Sequence, residues 1–144
     1  MFIRVQKILA SSQDMGKAAV AIGIGCKKGC STETIVALVV RAMAAASCAG
    51  ASASLFTHES KKSEAGLAAA ATALGLPLVF LEAEVLRQAS LRAATSSQRV
   101  MALFGLPSIA ETAALAGAGP SSVLLVARMS EGGASCAIAG ERKP

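Results

Sequence analysis

From Ala21 to Ile35 the chain reads AIGIGCKKGCSTETI. An aliphatic run passes through three glycines and two lysines, then a Ser/Thr/Glu cluster opens a helical pattern. A strand entering a glycine-rich turn at the head of a helix is the repeating unit of α/β sheets. The rest of the chain repeats the alternation. Val20 to Gly25 reads as a short buried strand. Ser31 to about Ala46 reads as a helix with Ile35, Leu38, Val39, Ala42 and Met43 on one face and Gly50 beyond its end. Ser52 to Thr57 is a strand by position, because Ser and Ala favour strands poorly. Lys61 to Leu74 predicts a second helix with Leu67, Ala70, Ala71 and Leu74 inward and Gly75 as its stop. Leu78 to Leu81 is a third strand and Glu82 to Gln88 a short helix. Ala89 to Arg99, rich in Ser, Thr and Arg, reads as a loop. Ser108, three residues before Glu111, has capping-box spacing at a helix start. Ser122 to Ala127, the turn EGG and Ala134 to Ala139 form a hairpin.

This order predicts an α/β fold: one three-layer domain, with a mostly parallel or mixed sheet of about five strands covered by helices and closed by a C-terminal β-hairpin. A single domain over residues 1–144, with a core from about 20 to 140, fits the length. Hydrophobic residues are 53% of the chain but aromatics only 3%, so the core must be built from small and branched aliphatic side chains.

The formal charge of +5 suits an anionic partner. Nucleic acid is not expected: there is no Tyr or Trp to stack on bases, and the basic residues are scattered apart from two Lys pairs. Cys26 and Cys30 are three residues apart rather than two, no second close pair follows, and His58 is the only histidine. No metal site is therefore expected, and the thiols read as free cysteines in a reducing cytosol. No membrane span is expected, since the charge-free stretch Ala65 to Leu81 is alanine-rich and interrupted by Gly75 and Pro77. The opening MFIRVQKILASSQ has too short an apolar run for a signal peptide, which predicts a cytoplasmic protein.

Three readings compete for the glycine-rich turn. Gly23, Gly25 and Gly29 space as G-x-G-x-x-x-G, one residue too long for a dinucleotide fingerprint, and the acid expected about 20 residues on is missing. Gly29 is followed by Cys30 rather than by the Lys and Ser/Thr of a phosphate-binding P-loop. A more general anion site needs only glycines that allow close approach, a helix N-terminus and the charges of Lys27 and Lys28. A strand–turn–helix corner with solvated lysines satisfies the same spacing.

Three segments, GIGCKKGCSTETI, THESKKSEAGLAAAATALGLPL and SSQRVMALFGLPSIAETAALAGAG, together resemble the CobE family, equivalent to the C-terminal domain of CbiG. They match its glycine-rich loop, its K-x-x-E-x-G-L helix start and its G-[VL]-x-S-[VI]-A-E segment, in order, from about Val20 to Gly140. The resemblance implies a role in cobalamin (vitamin B12) biosynthesis at the corrin-ring stage. The ligand would be a precorrin or corrinoid intermediate, a tetrapyrrole held through its carboxylate side chains, with other enzymes of the pathway as partners and no cofactor beyond that ligand. An alternative is a hydrolase acting on the lactone or side chains of a cobalt-precorrin, as CbiG does. Only about 19 residues precede the shared region, so the rest of CbiG is expected to be lacking.

A precorrin is a broad apolar ring fringed with acids, so its holder needs several anion sites around an apolar floor. Gly23, Gly25, Cys26, Lys27, Lys28 and Gly29 match the family's first motif and are expected to meet ligand carboxylates, a solvated turn being the alternative. Lys61 would meet another, oriented by Glu64, although the Lys61–Glu64 spacing equally suits a surface ion pair. Ser97 could donate to a ligand carboxylate or form a local turn. Ser108 opens a third helix start, and Arg92 and Arg99 lie in or beside the Ser-rich loop. Glu111 suits a cap, with a base or an acceptor for a pyrrole N–H as its alternatives. His58, at a strand end, is conceivable as a general base. With Glu64 and Glu111 it completes the weak catalytic candidates. Asp14, in the N-terminal tail, is the only Asp, so no Ser–His–Asp arrangement can be assembled.

Overall fold

The computed structural model describes residues 19–47, 52–96 and 98–141. The Gly50 stop signal, Asp14, Cys48 and Ser97 lie outside the described residues. Five strands form one sheet: β1 (Ala19–Cys26), β2 (Ser52–His58), β3 (Leu78–Leu81), β4 (Ser122–Glu131) and β5 (Ala134–Glu141). Their spatial order is β3-β2-β1-β5-β4. β1, β2 and β3 run parallel, whereas β5 pairs antiparallel with both β1 and β4. The sheet is mixed and the terminal hairpin forms as expected. β2 forms despite its Ser and Ala because it is central: Ser54, Leu55, Phe56 and Thr57 are all buried, and burial on both faces outweighs intrinsic preference.

The two faces of the sheet differ in side-chain size, which follows from the alternation in the sequence. Val20, Ile22, Ile24 and Cys26 share one face with Ile138 and Cys136. They pack against α1 (Thr32–Ala45) and α2 (Ala65–Leu74) through Ile35, Leu38, Val39 and Leu67. The other face carries Ala21, Gly23, Ala137 and Ala139. It receives α3 (Ala83–Ala89) and α5 (Ile109–Ala118) through Leu86, Ala110, Ala113 and Ala114. A side chain at Gly23 would place its Cβ 1.8 Å from the Ala110 carbonyl oxygen. The alanine-rich composition thus has a structural reason: small residues on sheet and helix let α5 lie almost directly on β1.

Three boundaries depart from expectation. The second helix starts at Ala65, not Lys61. His58 Nδ1 accepts the Ser60 N–H (3.0 Å), the chain makes a 3₁₀ turn over Glu59–Lys61, and Glu64 becomes the N-cap. The expected loop from Ala89 to Arg99 is shortened at both ends, by a 3₁₀ turn at Ser90–Arg92 and by α4 (Gln98–Phe104). The hairpin strands run on to Glu131 and Glu141. Gly132 and Gly133 both take positive φ (60° and 86°), so a two-residue turn reverses the chain at once.

Candidate functional site

Cys26 pairs with Ala134, so the β4–β5 turn stands beside the C-terminal end of β1. There the sheet changes direction: β2 continues on one side of β1, and the late hairpin lies on the other. In open α/β sheets ligands gather at such a point, beyond the carboxyl ends of the parallel strands. An open cleft of about 590 Å³ occupies it here. Gly25, Cys26, Lys27 and Lys28 form one wall, and Lys61 reaches in from the turn after β2. Ser108, Ile109 and Ala110 bring in the first turn of α5. Val100 and Leu103 of α4 add an apolar lip, while Arg128, Ser130 and residues 131–135 close the hairpin side.

Three backbone amides of the glycine-rich loop are engaged within the protein: Lys27 N–H donates to Gly133 O (2.9 Å), Cys30 N–H to Lys27 O (3.1 Å) and Gly29 N–H to Glu64 Oε1 (3.0 Å). The start of α1 is likewise capped, by Ser31 Oγ accepting the Thr34 N–H (3.2 Å). The loop brings the exposed Lys27 and Lys28 side chains to the cleft. The helix N-terminus that faces the cleft belongs to α5, which Gly23 lets settle against β1.

Of the residues expected at the ligand, Gly25, Cys26, Lys27, Lys28, Lys61 and Ser108 meet at this cleft. Gly23 is buried beneath α5, and Gly29 shapes the corner at φ 78°. Glu64 ties that corner to α2 through the Gly29 N–H rather than orienting Lys61. Glu111 is completely buried and its carboxylate accepts three backbone N–H bonds. Ala94 and Thr95 donate to Oε1 (2.9 and 2.8 Å) and Arg128 donates to Oε2 (2.8 Å). Half of the expected capping box is present, the Ser108 Oγ accepting from Glu111 N–H (3.2 Å); the reciprocal half gives way to this longer reach. Arg92 is not a rim charge, since its guanidinium donates to Ser122 O (2.7 Å) and Ser122 Oγ (3.1 Å). His58 is buried and engaged with Ser60, and burial holds its pKa below the ordinary histidine value. Sequence reasoning missed Arg128 and the α4 lip; an isolated Arg in a strand and a Val/Leu pair in a short helix carry no local signal.

Four cationic side chains, Lys27, Lys28, Lys61 and Arg128, border the cleft. Glu131 is the acid among its lining residues, and it is paired with Arg41. The cleft is therefore electropositive. Among the described residues no group of three His, Cys, Asp or Glu side chains is placed to hold a metal ion. No helix among them is long and apolar enough to cross a membrane.

Burial pushes the Cys26 thiol up to about 11, outweighing the pull of Lys61. The proton is thus held more tightly in the folded than in the unfolded chain. Its stabilising contribution is complete below the ordinary thiol value and is lost as pH rises towards 11. Cys26 is consequently a wall residue and a poor nucleophile. Iodoacetamide at pH 8 should modify it only after denaturation, as read by peptide mass spectrometry; prompt labelling of the native protein would show an accessible thiolate.

The model for the C-terminal region of cobalamin synthesis protein G matches residues 20–139. The chain belongs to this family. CobE from a Sinorhizobium species is 34% identical over 124 residues, 85% of this chain and 80% of that protein. A crystal structure of CobE, a protein from the cobalamin (vitamin B12) biosynthetic pathway, superposes with a TM-score of 0.78 at 33% identity, covering 88% of this chain and 93% of that one. The cobalamin biosynthesis protein chiG of Agrobacterium tumefaciens follows at a TM-score of 0.65 and 32% identity, over 86% and 99%. This family member is a cobalamin-biosynthesis protein of the CobE/CbiG type.

Proposed function

We propose that the protein binds a precorrin or corrinoid intermediate in the cleft, through the ring's acid side chains, and acts as carrier or helper at the corrin-ring stage. One observation carries the reading: four cations from three separate segments converge with the α5 N-terminus on a single open cleft. A volume of about 590 Å³ lies within the usual range for small-molecule sites. Its open side suits the rim of a flat ring better than an enclosed ligand would. The acids of the rim would meet Lys27, Lys28, Lys61 and Arg128, while Val100 and Leu103 face the apolar ring. On this reading the protein works in the cytoplasm beside other enzymes of the pathway.

The lactone-hydrolase reading draws less support. It needs a titratable pair on the cleft, but Glu111 and Glu64 are spent on backbone N–H groups and His58 on the turn after β2. Titration with cobyrinic acid, a corrinoid heptacarboxylate, followed by visible absorbance, tests the proposal. The acid should bind in the micromolar range or tighter, and its heptamethyl ester at least about tenfold more weakly, since esterification removes every charge that the cleft would pair. Mass spectrometry of the released corrinoid should return it unchanged. Equal affinity for acid and ester would sink the proposal, and a lactone-bearing cobalt-precorrin recovered with its lactone opened would favour the hydrolase.

A further inference from the structure

The β4–β5 ladder is irregular where β4 meets the cleft. Val126 pairs with Ile138, but the next register position pairs Met129 with Cys136, so three steps along β4 face two along β5. The extra residue makes a bulge, a device that re-aims a side chain and leaves a backbone group unpaired. Arg128 sits in it. Its N–H finds a partner outside the sheet, in Glu111 Oε2, and its side chain lines the cleft.

The buried Glu111 carboxylate therefore ties together three segments, of which the head of α5 and the bulge border the cleft. Its own backbone sits in the first turn of α5, Oε1 holds the strap at Ala94–Thr95, and Oε2 holds the bulge. An uncompensated carboxylate at this depth would be costly, and three amide donors are what makes it tolerable. Among the described residues no carboxylate forms an ion pair with the Arg128 guanidinium. Arg128 and the opening residues of α5, Ile109 and Ala110, border the same cleft. A guanidinium presents its donors as a rigid planar fork that matches a carboxylate, whereas a lysine offers a mobile point charge.

We propose that Arg128 is the carboxylate clamp of the cleft, and that Glu111 is a positioning residue that holds Arg128 at the β4 bulge so that its fork meets an acid side chain of the ligand beside the α5 N-terminus. This rests on the reading of the cleft as a site for a polycarboxylate corrinoid. The exposed Lys27 and Lys28 then steer the ligand in, and the clamp sets how long it stays.

The test is a coupling measurement with cobyrinic acid on the whole chain. Arg128→Gln should weaken binding about 30-fold and Arg128→Lys about tenfold, chiefly through faster dissociation, with unchanged melting temperature. Glu111→Gln isolates the second role. Its amide oxygen can keep the two donors at Ala94 and Thr95, which turns its NH₂ against the Arg128 N–H and frees the bulge. It should cost about tenfold in the wild-type background and less than about twofold in the Arg128→Gln background. If wild type fails to bind cobyrinic acid, the proposed function fails. If wild type binds and Arg128→Lys and Arg128→Gln bind equally well, only the clamp is overturned. A Glu111→Gln protein that does not fold, or whose loss of affinity persists undiminished without Arg128, is a purely structural variant and overturns the positioning role.

Discussion

Replacing Gly23 by alanine is expected to destabilise the protein by about 3 kcal/mol, lowering its melting temperature by roughly 10 °C. The added Cβ would lie 1.8 Å from the Ala110 carbonyl oxygen and 2.6 Å from the Ala114 nitrogen. Both neighbours are backbone atoms of α5, so no side chain can swing aside. The helix must lift from β1, and its buried face, with Ala110, Ala113 and Ala114, loses contact with the sheet. Gly25, two residues along the same strand, is the control. A Cβ there would meet Ile109 Cβ at 3.6 Å, an ordinary contact, so Gly25→Ala should leave the melting temperature nearly unchanged. Thermal unfolding of the two variants separates the readings of the motif. If Gly23→Ala melts like wild type, the glycine is not there for helix packing.

Lys27→Ala combined with Lys28→Ala should weaken cobyrinic acid binding by about tenfold or more while leaving the fold intact. The fold survives because the loop is held by backbone donors, Lys27 N–H to Gly133 O and Gly29 N–H to Glu64 Oε1, and both lysine side chains are exposed. The loss should fall mainly on the association rate, since solvated charges at a rim attract an anion before contact. It should also shrink as salt is added, because ions screen exposed charges beyond a Debye length of about 8 Å. Stopped-flow absorbance at two salt concentrations reads both effects. Wild-type affinity in the double variant would remove the loop from the site. A deficit that appears only in dissociation would give these lysines the role assigned above to Arg128.

The glycines illustrate what local pattern can and cannot resolve. Their spacing alone left a nucleotide grip, an anion site and a plain turn in competition. The structure gives the three positions different tasks: Gly23 admits α5, Gly25 borders the cleft and Gly29 turns the corner. Glu111 illustrates the same limit. Three residues after Ser108 it reads as a capping partner, and that spacing is real, for Ser108 Oγ does accept its N–H. Its carboxylate nevertheless reaches residues 17, 16 and 17 positions away, to Ala94, Thr95 and Arg128. No rule of spacing along one helix contains such partners.

What the chain dictates by itself is periodic: which runs alternate, which repeat every three to four residues, where glycine ends a helix, and that the core is built from small and branched aliphatic side chains. These local regularities, with three ordered motifs, were enough for a mostly parallel or mixed sheet of about five strands, the closing hairpin and the family. The cleft's chemistry came only from tertiary structure, because it depends on contacts between segments about 100 residues apart. Folding spends the loop amides on the hairpin and on α2, brings the head of α5 rather than α1 to the opening, and turns Arg128 inward through a bulge whose extra residue leaves no mark in composition or period.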